Sequence, residues 1–276
     1  MKKRFLLLSL ALVWLAACTE SEINPSEELS STTGQATVKE VDAAARGFNP
    51  LQLIRAWSSY DLYNSRAEYV RKFTVKLADF AFEKGVFVQH QLLDGTYEQI
   101  PLYYAGEAEE GFELWTARVA TSEPYYGNKF IIRYDVEGTT YIDNNNGQQY
   151  TLEERDGVFL GEGINLFRDR HYSYISGRGR FVVGVDVRNL AYEKQVTLVY
   201  TTDNWATVRT HDLHHEPKFY FGTTQYIPSP NVHNVERWSG AVNFTGPAPN
   251  FKYAIRYRVN GQEYWDNNYG RNYTAY

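Results

Sequence analysis

The chain has 276 residues, 43% of them hydrophobic and 22% charged, a composition that supports buried cores and excludes disordered, low-complexity and collagen-like classes. Its one cysteine, Cys18, lies close to the N-terminus, so the body beyond it can form neither an internal disulfide nor a Cys-ligated zinc or iron–sulfur site. The formal charge is −5, and without the residues preceding Cys18 it becomes −8, 25 basic against 33 acidic residues; no basic face is expected for phosphate, and nucleic acid is not an expected partner.

In chain order, Lys2, Lys3 and Arg4 precede an apolar run from Phe5 to Ala17, too short for a span of roughly 20 residues, and small residues lead into Cys18. Residues 1–18 therefore read as a secretory signal. Leu15-Ala16-Ala17-Cys18 also resembles the bacterial lipobox, which implies lipidation of Cys18 as the mature N-terminus and anchoring in the cell envelope. Thr19, rather than Asp, favours an outer-membrane site, on its periplasmic face or at the cell surface. Residues 19–46 carry six acidic and two basic residues, much Ser and Thr and no aromatic, and read as a disordered tether.

An internal repeat organises the rest. Residues 129–150, KFIIRYDVEGTTYIDNNNGQQY, align without a gap to residues 252–273, KYAIRYRVNGQEYWDNNYGRNY, with 12 identities in 22 positions. Trp115 aligns with Trp238, and Phe82-Glu83-Lys84 with Tyr192-Glu193-Lys194, so the second copy carries an insertion within His214–Asn234. The copies are assigned to 47–153 and 154–276, and the second is expected to fold alone. A short helix over Ala43–Arg55 is an open reading, opposed by Pro50.

Each copy shows the alternation of strands. Phe251, Tyr253, Ile255, Tyr257 and Val259 alternate with polar or small residues, Asn260-Gly261 supplies a two-residue turn, and Gln262–Trp265 runs back. That hairpin sets Val259 against Gln262, Arg258 against Glu263, Tyr257 against Tyr264 and Arg256 against Trp265. The expected fold is all-β: two tandem immunoglobulin-like antiparallel β-sandwiches after the signal and tether. Trp115 and Trp238, identically placed, are expected in the cores.

No acid–base pair stands out. Asp143 and Asp266 are equivalent residues of the two copies and read as turn or fold residues, as do Glu83 and Glu193. His211, His214 and His215 lie in or beside the insertion with no helix to converge them, so no metal site is assigned. No phosphate loop or nucleophile elbow occurs, no catalytic residue is assigned and no cofactor is expected. What remains is Tyr264–Tyr273, where Trp265 offers a flat apolar face for a pyranose ring and Asn267 an amide for its hydroxyls.

NLAYEKQVTLVYTTDNWATV (residues 189–208), Trp238 and EYWDNNYGRNY (residues 263–273) resemble family 21 carbohydrate-binding modules, the starch- and glycogen-binding sandwiches of fungal glucoamylases and of glycogen-targeting subunits of protein phosphatase 1. The resemblance covers the second copy. It implies that Trp205, Trp265, Asn267 and Asn272 form one α-glucan site and that Tyr192 belongs to a second, more distant one. An aromatic sometimes used by the family is Ala254 here. The first copy has Ile142 for Trp265, Gly95 near Trp205 and Gln149 for Asn272. Its Asn144, Asn145 and Phe82 imply a weaker or altered site, or a spacer that has kept its fold.

The chain is thus expected to be a non-catalytic, lipid-anchored protein that binds starch, glycogen or maltooligosaccharides. The alternative is an envelope scaffold docking a partner protein, unidentified by the sequence. The phosphatase-adaptor role of the family's eukaryotic members is not expected, because no basic-Val-x-Phe docking motif occurs.

Overall fold

The computed structural model describes residues 49–63, 66–177, 179–221, 225–247 and 250–275, all within one compact unit spanning 36–276. The signal segment 1–18 with Cys18, the tether 19–46 and residues 43–48 of the helix reading lie outside the described residues. The described residues form an all-β protein of antiparallel sheets, and no helix among them is long and apolar enough to cross a membrane.

The first sandwich is built from β1 (Leu51–Tyr63), β2 (Arg66–Ala78), β3 (Lys84–Leu92), β4 (Tyr97–Pro101), β5 (Tyr103–Glu107), β6 (Phe112–Thr121), β7 (Tyr126–Val136), β8 (Thr139–Asp143) and β9 (Tyr150–Thr151). One sheet runs β1-β2-β6-β5 and the other β4-β3-β7-β8, with β9 also on β7. Strand alternation sends Leu53, Phe73, Val75, Val88, Phe130, Ile132 and Tyr134 into the space between them, all at most 1% exposed. Leu51–Arg55 belong to β1, where Leu51 pairs with Leu77 and Arg55 with Thr74, so this part of the suggested helix is strand.

The second sandwich comprises β11 (Leu166–Ile175), β12 (Arg180–Arg188), β13 (Lys194–Thr201), β14 (Arg209–Asp212), β15 (His214–Glu216), β18 (Val235–Asn243), β19 (Lys252–Val259), β20 (Gln262–Asp266) and β21 (Tyr273–Thr274). Its sheets run β11-β12-β18-β15 and β14-β13-β19-β20, with β21 on β19. Phe181, Val183, Val185, Leu198, Tyr253, Ile255 and Tyr257 fill the space between them. Trp115 and Trp238 are only half-buried. Each indole N–H needs an acceptor and finds one two residues back on its own strand, Glu113 at 2.7 Å and the buried Glu236 at 2.9 Å.

Between the sandwiches lies a third core. The strand β10 (Gly157–Leu160), which the repeat alignment assigns to the second copy, pairs with β1, setting Arg55 against Leu160 and Trp57 against Val158. The insertion folds as a hairpin, β16 (Lys218–Phe221) and β17 (Gln225–Pro228). Its Phe219 and Ile227 join Val158, Leu160 and Val235 to bury Trp57 to 1% exposure.

Beside this core sits a buried ionic cluster. Arg237 Nη2 lies 2.8 Å from Asp169 and 2.7 Å from Asp186, while Arg55 of the first sandwich reaches the same two carboxylates at 3.5 and 3.0 Å. Burial alone would raise the pKa of Asp169; the guanidinium groups of Arg237 and Arg55 outweigh it and hold the carboxyl well below the ordinary range.

Candidate functional site

The β19–β20 hairpin sets Val259 against Gln262, Arg258 against Glu263, Tyr257 against Tyr264 and Arg256 against Trp265. Since Tyr257 and Ile255 point into the core, Arg256 and Trp265 stand on the outward face. The guanidinium carbon of Arg256 lies 5.8 Å from the Trp265 ring, and the indole N–H donates to Glu263 at 2.7 Å. Those contacts hold the ring while leaving Trp265 45% exposed.

The loop after β20 is fastened from within. Asp266 Oδ2 accepts the Arg168 N–H of the facing sheet at 2.6 Å, and Oδ1 accepts the Tyr273 hydroxyl. Burial raises the Asp266 pKa despite these bonds. Asn267 Oδ1 accepts the Gly270 N–H at 2.9 Å, Asn268 Nδ2 donates to the Asn272 carbonyl at 3.1 Å, and the Asn272 N–H donates to the Asn267 carbonyl at 2.7 Å. Asn268, Tyr269, Gly270 and Asn272 all take positive φ, from 54° to 86°. Asn and Gly tolerate that region; Tyr269 holds it because the bonds on both sides over-determine the turn. The Asn267 amide nitrogen has no partner among the described residues.

The first sandwich repeats this construction. Asp143 accepts the Leu53 N–H at 2.8 Å and the Tyr150 hydroxyl at 2.7 Å, Asn144 Oδ1 accepts the Gly147 N–H at 2.9 Å, and Asn145 Nδ2 donates to the Gln149 carbonyl at 3.0 Å. Asp143 and Asp266 thus tie each loop to the opposite sheet, a half-buried fold role. Ile142 occupies the register position of Trp265, opposite Arg133.

Trp205 sits on a different turn. Asn204 and Trp205 have φ of 57° and 71°, and the Ala206 N–H closes on the Asp203 carbonyl at 3.3 Å, the pattern of a type I′ turn. A tryptophan there costs about 1–3 kcal/mol of backbone strain, a pattern associated with function. Asp203 fastens the turn by accepting the Thr207 N–H at 2.9 Å, the Thr207 hydroxyl at 2.7 Å and the Thr201 hydroxyl at 2.7 Å. These bonds, those from Thr207 foremost, lower its pKa to about 2. Gly95, the aligned residue, keeps the positive φ, 87°, without a side chain.

Trp265, Asn267 and Asn272 come together on one cleft of about 800 Å3 between the two sandwiches; Trp205 is not part of its lining. Lys252 donates to Asn204 at 2.6 Å, which keys the Trp205 turn to the start of β19. Arg256, opposite Trp265, is four residues further along, ~13 Å at strand rise. Between these positions on the outward face Ala254 pairs with Val199, at 3% and 8% exposure. Tyr192, 93% exposed, precedes the opposite end of β13, and Phe82, 98% exposed, stands at the equivalent turn before β3.

The three histidines do not converge on one centre. His214 bonds Glu216 at 3.0 Å and His215 faces the Ser229 hydroxyl at 3.1 Å, and no group of three or more His, Cys, Asp or Glu among the described residues is arranged to hold a metal. Sequence reasoning missed the cleft itself and its wall from the first sandwich, because neither copy contains it alone.

All five positions singled out in the second copy fall inside one family match. Residues 171–275 match the model of the carbohydrate/starch-binding module, family 21. The chain is 37% identical over 91 residues to mouse protein phosphatase 1 regulatory subunit 3E, covering 32% of this chain and 28% of that protein. It is 30% identical over 98 residues to bovine regulatory subunit 3C, covering 34% and 28%. The chain thus spans 28% of the length of these relatives. Among solved structures, the starch-binding domain of Rhizopus oryzae glucoamylase, in complex with β-cyclodextrin and maltoheptaose, is 23% identical at a TM-score of 0.30, covering 38% of this chain and 94% of that one. The carbohydrate-binding module of the muscle glycogen-targeting subunit of protein phosphatase 1 is 23% identical at 0.30, covering 40% and 78%. The family match supports a carbohydrate-binding domain in residues 171–275.

Proposed function

We propose that this chain is a non-catalytic α-glucan-binding protein, tethered to a membrane of the bacterial envelope through lipid on Cys18, with the second sandwich as its principal binder and the first as a diverged copy. The observation that carries the reading is Trp265, exposed yet held by Arg256 and Glu263, beside Asn267 on a turn fastened from within. An indole held in advance loses little freedom when a sugar ring stacks on it, and the Asn267 amide nitrogen, without a partner among the described residues, gives direction to the contact. The family match over residues 171–275 supports the same reading.

Retardation of the full chain in a starch or amylopectin gel, compared with a gel lacking polysaccharide, tests it. The expected result is retardation without release of reducing sugar. Cys18→Ala is expected to release the protein from membranes, and membrane partition of the processed mutant would overturn the anchor.

A second reading, a scaffold that docks a partner protein, draws on two observations: the similar proteins are named regulatory subunits of a phosphatase, and Phe82 and Tyr192 stand almost fully exposed at equivalent turns. Unretarded migration in the gel would favour it.

A further inference from the structure

The cleft beside Trp265 has two walls, and only one belongs to the second sandwich. The other is the edge strand β5 with part of β2, contributing Tyr104, Glu107 and Lys76. Tyr104 is 53% exposed. Its ring lies edge-on to Trp115 with centroids 6.4 Å apart, and its hydroxyl donates to Glu107 Oε1 at 3.3 Å. It is therefore a supported, half-exposed ring, and Tyr104 is among the residues that line the same cavity as Trp265 and Tyr269.

The local backbone departs from regular strand at this point. Tyr104 pairs with Trp115 but Gly106 pairs with Leu114, leaving Ala105 as an extra residue, and Gly106 takes a φ of 142° that side-chain-bearing residues rarely adopt. A bulge on an edge strand re-aims the neighbouring side chains and blunts the edge. The Arg271 guanidinium, from the loop that carries Asn267, donates to the Glu107 carbonyl and joins the two walls directly. With the cluster of Arg55, Arg237, Asp169 and Asp186 behind them, the walls are held apart at a set distance before any ligand arrives.

We infer that Tyr104 of the first sandwich is a sugar-contacting residue, so that one α-glucan chain runs through the cleft between Tyr104 and Trp265 and the protein prefers longer chains to short ones. The inference rests on the α-glucan reading. A cleft of about 800 Å3 lies toward the upper end of the roughly 300–1,000 Å3 range of small-molecule sites, more than one ring on one indole requires. It also gives the first copy a part in binding although it has Ile142 and Gly95 where the second has tryptophans: it contributes a wall.

The test is calorimetric titration of the full chain with maltotriose and maltoheptaose, read as the ratio of the two affinities. Tyr104→Ala is expected to lower that ratio by about fivefold or more, the scale of one stacking residue, with Tyr104→Phe retaining most of it. Trp265→Ala is expected to weaken both sugars. Hydroxyl-radical footprinting of the wild type reads the contact without a substitution: maltoheptaose is expected to protect Tyr104 and Trp265 together. An unchanged ratio in folded Tyr104→Ala, or protection of Trp265 with Tyr104 unprotected, overturns the two-walled cleft and leaves glucan binding standing. Failure of the wild type to bind either sugar overturns both.

Discussion

Arg55 Nη2 lies 3.0 Å from the carboxylate of Asp186, a contact that joins the two sandwiches through groups nearly sealed from water. Arg55→Ala would leave Asp169 and Asp186 to share Arg237. Removing one partner of a buried ionic cluster costs about 3–5 kcal/mol, because the remaining charge is neither solvated nor matched. Urea unfolding should show a loss of that size, and a loss under about 1 kcal/mol would mean that Arg55 does not stabilise the junction between the sandwiches.

Trp265 and Trp238 should separate cleanly by phenotype. Trp265→Ala is expected to cost about 1–3 kcal/mol of maltoheptaose affinity, the range for an aromatic hot spot, with little change in melting temperature. Trp238→Ala is expected to lower the melting temperature by several degrees, since its half-buried indole packs on the core and donates to Glu236. Titrations and melts on both variants decide the matter; the reverse pattern would exchange their roles.

The Trp205 turn carries its own pH signature. Asp203 is ordinarily half-protonated at 3.8 but holds its charge to about 2 in the folded chain. A depressed carboxylate stabilises the fold fully above its ordinary value, and that contribution is lost as pH falls through the folded value. The Asp203 carboxyl carbon should titrate near 2 by NMR, and protection of the Thr207 amide should fade over the same interval. Titration near 3.8 would dissociate Asp203 from the Thr207 bonds.

The first sandwich offers a site for grafting. Its loop 143–150 keeps the bonds of 266–273, and Gly95 keeps the left-handed backbone of Trp205 with open space where a Cβ would stand. The double substitution Gly95→Trp and Ile142→Trp is expected to add a second glucan equivalent in titration, at about 1–3 kcal/mol of stability for the strained position 95. An unchanged stoichiometry in a folded variant would mean that the two aromatics are not the missing parts.

The parts of the structure set by local rules were legible in advance. The register from Val259 against Gln262 to Arg256 against Trp265 follows from side-chain alternation and a two-residue Asn-Gly turn, both written into consecutive residues. The junction was not legible, because it is made by residues more than 100 positions apart, such as Arg55 and Asp186. A signal for it existed. Asp186 is a lone acid within the apolar stretch Phe181–Val187, and a buried strand tolerates such a charge only with a partner. The insertion likewise announced only extra length, whereas in space its Phe219 and Ile227 cover Trp57. The tryptophans at 115 and 238 were expected in the cores, and each packs on its core half-buried while its indole N–H donates to a carboxylate two residues back in the sequence.

The hairpin containing Phe219 and Ile227 also sets a limit on exchange. A repeat detected by alignment suggests interchangeable parts, any one of which could be spliced into another protein. Here a transplanted second half would arrive with Phe219 and Ile227 uncovered and with two carboxylates facing one arginine; a transplanted first half would bare Trp57 and Arg55. Arg55, Trp57, Phe219 and Ile227 are the positions that an engineer who wants either half alone would redesign first.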